Sequence, residues 1–271
     1  MMNNKKEKTP SIALIGGMEI TIENKPSGQL QFGSENPGTI AVHCRGRVWN
    51  LALSLTGAGC AVDLISAAGN DFAGQSMKAQ LGEKGVSVGG FHLIDGQNTA
   101  AEHVILNLLD QPEMEFQNKD VFDCLSIDKV KESIEQIASA DCIVLDTCFP
   151  EDTMAYIAEA FSPTPILLWP DSPDNVLRAG AVLSRMKGVL TGRREGELLS
   201  EMEILSEEQL KTASQWFREQ GLEQVYFYLG NGGIYYNDAS GCGLAAPGSM
   251  SVADVVRGFA SGKNVGDIAS V

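Results

Sequence analysis

The chain has 271 residues, enough for one large domain with an ample core and no need of disulfide or metal staples. Its 35 acidic against 20 basic side chains give a formal charge of −15, which excludes non-specific binding to nucleic acid, since Lys and Arg are what neutralise phosphates. An anionic ligand must be held locally, by glycine-rich backbone or a few basic side chains.

Taken in order, the chain opens on MMNNKKEKTP, a polar stretch expected to be a disordered tail over residues 1–10. It passes into SIALIG, too short an apolar run for a signal core or a membrane span. From there short apolar or β-branched runs (IALIGG, AVDLISAAG, CIVLDT, PILLWPD, GVLTG, QVYFYLG) alternate with amphipathic helix-length stretches. The clearest helices are GRVWNLALSLTGAG, SMKAQLGEKG, SIDKVKESIEQIASA, EDTMAYIAEAF and LSEEQLKTASQWFREQG, several with a Ser, Thr or Asp start and a Gly stop. This alternation predicts an α/β fold: a doubly wound, mostly parallel sheet with helices on both faces.

Two segments break the rhythm. Residues 18–44 (EITIENKPSGQLQF) and 91–114 (GFHLIDGQNTAAEHVILNLLD) alternate like exposed strands, which predicts a small β lid inserted near the strand ends of a single domain over 11–271. The six cysteines lack C-x-x-C spacing and sit mostly in apolar runs, so reduced thiols in a cytoplasmic protein are expected. His43, His92 and His103 have no metal-ligand spacing. No G-x-S-x-G elbow occurs, and IALIGGMEI lacks the full dinucleotide fingerprint. The acidic LLSEMEILSEEQLKTASQWF reads as a solvated helix face.

Several motifs then fall in a telling order: Gly16 and Gly17 after the first strand, NPG (Asn36 to Gly38), RGRVWNLALSLTGAG, AAGNDFAG, VLDTCFPEDT, LTGRREGELLS and YLGNGGIYY. In this order and spacing the chain resembles the ribokinase-like, PfkB-type carbohydrate kinases, nearest their nucleoside and pseudouridine kinase branch. The resemblance implies ATP-dependent phosphoryl transfer to a sugar hydroxyl, chemistry that rests on positioning, charge neutralisation and a base near the acceptor oxygen. It assigns sugar binding to Gly17, Gly46 and Asn50, the nucleotide-side turn to Gly230 and Gly233, and a water-mediated magnesium contact to Glu195. The partner implied is a sugar or nucleoside, with no nucleic acid and no membrane, and a homodimer through the lid strands is a further expectation.

Each assignment has a plainer reading. GRVWN suits an ordinary helix start with Trp49 in the core, Glu195 between arginines suits a surface ion pair, and LGNGG suits a hairpin turn. Arg45 stands where the family has a first glycine, Thr21 where it has an Asp, and Gly192 where it has an Asn. The largest departure is APGSMSVADVVRGFASGK, where the family's G-A-G-D turn and its catalytic Asp are expected. One register puts Asp254 on the first Asp of that motif, one implies a gap of about a dozen residues, and one puts Arg257 on the catalytic Asp. None restores both the glycine turn and the base, whose loss costs about 10² to 10⁴ in rate. The expectation is therefore an impaired or inactive kinase homologue that needs no cofactor. The alternatives are an active kinase, with ATP and magnesium and Asp254 as displaced base, or a truncated product, since the chain stops where the family adds further helices.

Overall fold

The computed structural model describes residues 9–170 and 172–268. The expected tail lies mostly outside them, in residues 1–8. In chain order the strands are β1 (Ser11–Ile15), β2 (Glu19–Pro26), β3 (Gly38–Arg45), β4 (Ala61–Gly69), β5 (Ser87–Ile94), β6 (Ala101–Leu106), β7 (Pro112–Asn118), β8 (Cys142–Asp146), β9 (Ile166–Trp169), β10 (Gly188–Gly192), β11 (Gln224–Tyr228), β12 (Ile234–Asp238) and β13 (Gly241–Ala245). The α-helices are α1 (Arg47–Gly57), α2 (Phe72–Glu83), α3 (Ile127–Glu132), α4 (Ile134–Ala138), α5 (Glu151–Ala160), α6 (Pro173–Val176), α7 (Arg193–Ser200), α8 (Glu207–Glu219), α9 (Val252–Ala260) and α10 (Val265–Ile268).

Nine strands form one sheet in the order β13-β12-β11-β10-β9-β8-β1-β4-β5, parallel from β11 through β5, with β12 and β13 antiparallel at one edge. The central strands are buried on both faces, as a doubly covered parallel sheet requires. In β8 all five residues are buried, with Ile143 and Leu145 facing one core and Cys142 and Val144 the other. The first core is roofed by α3, α4, α5, α7 and α8, and the second by α1, α2 and α9. Each fully buried aliphatic or aromatic side chain contributes about 1.5–3 kcal/mol, so these two layers are what hold the sheet flat against its helices.

The remaining strands make a second, four-stranded sheet in the order β3-β2-β6-β7. Here the boundaries differ from those expected. Phe91 to Ile94 finish β5, the edge strand of the large sheet, because Phe91 is buried in the second core; the small sheet instead runs on through β7 to Asn118. The β2 start, β3 end, β6 start and β7 end all lie at one root, next to the carboxyl end of β1. The stretch predicted as a single helix from Ser126 divides into α3 and α4 at Ser133, whose buried side chain meets His92 of β5.

Candidate active site

Ligands of open α/β sheets bind beyond the carboxyl ends of the strands where the strand order reverses, here between β1 and β8. Gly16 and Gly17 lie at that point. A side chain on Gly17 would meet the Phe122 ring at 2.7 Å and Cys148 Sγ at 3.0 Å; one on Gly16 would strike Val48 and come 3.2 Å from Asp146 Cβ. Both glycines are thus required by neighbouring side chains, and Phe122, itself 5% exposed, covers Gly17 from the segment that follows the small sheet. Asp146, 3% exposed at the end of β8, accepts the Thr147 N–H at 2.6 Å.

The first turn of α1 borders the same point. Gly46 is its N-cap at φ +117°, a backbone that favours glycine, and no side chain caps the helix. Asn50 is exposed one turn along, its N–H donating to the Gly46 carbonyl at 3.1 Å. Arg45 is drawn along the small sheet toward Glu23, with Arg45 Nη2 4.0 Å from Glu23 Oε2. Arg47 lies 4.8 Å over the ring of Trp169 at the end of β9, a cation–π contact worth about 0.5–2 kcal/mol. Trp49 is buried in the second core together with Met18, Trp169 and Met250. Thr21, in the position of the family's Asp, is buried with no hydrogen-bond partner for its hydroxyl among the described residues.

The glycine turn between β11 and β12 joins an antiparallel pair: Leu229 N–H donates to the Gly233 carbonyl at 2.9 Å. Gly233 (φ +90°) packs against the Ala245 carbonyl of β13, a structural duty, whereas Gly230 (φ +58°) opens on free space. Glu195 is half-buried in the first turn of α7, and its carboxylate folds back over Gly192 where a side chain would otherwise stand. Among the described residues no three His, Cys, Asp or Glu side chains stand together as metal ligands. The residues present do not build a direct metal site, which leaves Glu195 at most the water-mediated contact that the resemblance implies.

Asp254 is in the first turn of α9, and its carboxylate is engaged there. Oδ2 accepts the Ser251 N–H at 3.0 Å and the Ser251 hydroxyl at 2.7 Å, while Asp254 N–H donates to Ser251 Oγ at 3.1 Å. That is a complete capping box. Oδ1 lies 3.4 Å from Arg257 Nη1. Asp254 and Arg257 line a groove of about 650 Å³ that also takes in Pro10, Cys60 and Asp141, residues at the amino-terminal starts of β1, β4 and β8. Gly17, Asn50 and Trp169 do not line it. The structure thus gathers Gly17, Gly46 and Asn50 around the switch point and places Asp254 apart from them. Phe122 was missed: nothing in its local sequence marks a residue 105 positions away as the cover for Gly17.

The pfkB family of carbohydrate kinases matches residues 10–256. The chain is 26% identical over 245 residues to a pseudouridine kinase of Escherichia coli (strain K12), covering 90% of this chain and 78% of that protein. It is 23% identical to a ribokinase of Haemophilus influenzae, over 70% of this chain and 62% of the other. Among solved structures, a carbohydrate kinase from Agrobacterium tumefaciens superposes with a TM-score of 0.80 at 18% identity, covering 96% of this chain and 87% of that one. An Arabidopsis thaliana ribokinase complexed with ribose and ATP superposes at 0.79 with 16% identity, over 96% and 89%. Among the described residues no helix is long and apolar enough to cross a membrane.

Proposed function

The chain belongs to the pfkB family of carbohydrate kinases, and from that premise we propose that it is a catalytically impaired member: a single domain that takes a sugar or nucleoside at the β1/β8 switch point, under the small sheet as a lid, and transfers phosphate from ATP poorly or not at all. One observation carries this reading. The helix start where the family's phosphate-binding turn and base are expected is closed by the Ser251–Asp254 capping box, and no glycine stands beside it: Asp254 is followed by Val255 and Val256, buried in the core, and then by Arg257. The Asp254 carboxylate is already engaged by the Ser251 N–H and hydroxyl and lies beside Arg257, and the Ser251 and Asp254 N–H groups are taken up by the same box rather than aimed at a phosphate.

The test is to incubate the purified protein with magnesium-ATP and a panel of nucleosides and pentoses, following ADP release and, in parallel, thermal melting. The expected result is a melting shift with one class of nucleoside or sugar and no turnover above the ATP background. Turnover abolished by Asp254→Asn would establish the displaced base instead.

As partner we propose a second copy, through the exposed face of the small sheet. Strand register puts Ile40, Val42, Met114 and Phe116 on one face, with Ile40 73%, Val42 62% and Phe116 55% exposed and no acidic or basic residue but His103 among their aligned neighbours. In a chain of charge −15 a neutral apolar face is where two copies can meet. Sedimentation would give a dimer that Val42→Glu converts to monomer. No disulfide joins cysteines among the described residues, which supports a cytoplasmic location.

A further inference from the structure

The stretch Gly69-Asn-Asp71-Phe-Ala-Gly74 takes no part in the site above, yet its Gly69, Asp71 and Gly74 all bear on one loop. Asp71 caps α2: its Oδ1 accepts the Gly74 N–H at 2.9 Å. The same carboxylate reaches the chain just before β6. Oδ1 also accepts the Thr99 hydroxyl at 2.6 Å, and Oδ2 accepts the Thr99 N–H at 2.8 Å. Gly69 has no room for a side chain because the Gln97 carbonyl and Thr99 N lie where it would point, the latter at 2.5 Å; at Gly74 the Gly69 carbonyl and Thr99 Oγ1 exclude one.

Thr99 leads directly into the small sheet. The next residue, Ala100, is fully buried and its carbonyl accepts the Ile20 N–H at 3.0 Å, the first link between β2 and the strand beside it. From Asp71 to the root of the small sheet the path is two hydrogen bonds and one peptide link, through Thr99 and Ala100 to Ile20. A carboxylate alone suits this position, because both of its oxygens face donors; an amide of the same shape would turn an N–H toward the Thr99 N–H. Burial pushes the Asp71 carboxyl up, but N–H donors from Gly74, Thr99 and Ala73 and the Thr99 hydroxyl outweigh it and hold the carboxyl below its usual range.

We propose that Asp71 is a positioning residue for the small sheet, setting its stance over the switch point through Thr99. This rests on reading the small sheet as a lid. Gly69 and Gly74 are then the clearance that lets the Thr99 loop seat on the start of α2, and closure over a bound molecule is a tilt about that seat.

The test uses the full chain without ligand, so its outcome is independent of whether the protein phosphorylates anything. Amide hydrogen exchange is followed in Asp71→Asn, Thr99→Val and Thr99→Ser. In parallel, acrylamide quenching is measured in a Trp216→Phe background that leaves Trp49 and Trp169, both buried beside the switch point. Asp71→Asn is expected to reduce protection of the β2 and β6 amides by roughly tenfold while β1, β8 and α9 keep theirs, and to raise quenching. Thr99→Val should give a smaller loss in the same strands, and Thr99→Ser should restore the parent behaviour. Protection lost evenly over α2 and the large sheet, or unchanged in β2 and β6, would make Asp71 a plain helix cap and overturn the proposal. If Asp71→Asn does not fold, the Thr99→Val and Thr99→Ser pair decides by the same criterion.

Discussion

Replacing Asp254 by Ala separates a structural carboxylate from a catalytic one. In the structure the substitution removes the acceptor for the Ser251 N–H and hydroxyl and leaves the start of α9 with one cap where it had two. Loss of a capping side chain costs about 0.5–2 kcal/mol, and removal of a first-turn acid adds about 0.3–1 kcal/mol that salt and exposure reduce. With Asp254 more than one third exposed, the expected total is about 1–2 kcal/mol, a fall of roughly 2–6 °C in Tm for a chain of this size. Ser251→Ala removes the other half of the same box, so the double variant should lose clearly less than the two singles summed. Differential scanning calorimetry of the four proteins measures this directly. Full additivity, or a Tm unmoved by Asp254→Ala, would refute the capping argument and return Asp254 to the list of available bases.

Gly17→Ala should drive a methyl group into the Phe122 ring and cost about 1–3 kcal/mol in urea unfolding, and Phe122→Leu in the same chain should recover much of it. His92 predicts an acid-sensitive joint. Burial holds the ring below its ordinary pKa; Glu132 opposes this, and Lys129 and Lys78 reinforce it. The neutral form is therefore favoured in the folded state: its stabilisation is complete above about pH 6.5 and falls as the pH drops below that, a slope that His92→Gln should remove from a plot of unfolding free energy against pH. Asp71 acts lower on the scale. Its depressed carboxyl stabilises the fold above about pH 4, the unfolded value, and that contribution is lost as the pH falls through the folded one, so Asp71→Asn should flatten the acid limb below pH 4.

The large sheet was legible because each of its inner strands is an apolar run bounded by turn residues, and burial on both faces needs nothing else. The strand β7 was not: Pro112 to Asn118 is exposed throughout, carries Glu113 and Glu115, and is a strand only because β6 lies beside it. The break between α3 and α4 falls at Ser133, which meets His92 from 41 residues earlier, a contact no local periodicity can report. At the candidate site, Gly17, Gly46 and Asn50 could be named from their motifs, but the reason for Gly17 lies in Phe122, and the state of Asp254 follows from Ser251, whose capping pattern with a residue three positions on was present in the sequence and readable. Asp71 stood in a quoted motif, yet its second partner, Thr99, is 28 residues away.

The order of the nine-stranded sheet also bears on how the chain assembles. From β8 outward each new strand is laid beside the one made just before it, so that half can grow in step with synthesis. The centre cannot. β1 waits for β8, and the Ser11 N–H finds the Asp141 carboxylate only when the chain has grown 130 positions further. Until then its inner edge, Ile12 to Ile15, is an open apolar strand. About the first half of the chain thus carries an unpaired apolar strand edge until β8 is made, and slow codons placed just before β8 would lengthen the time it spends exposed.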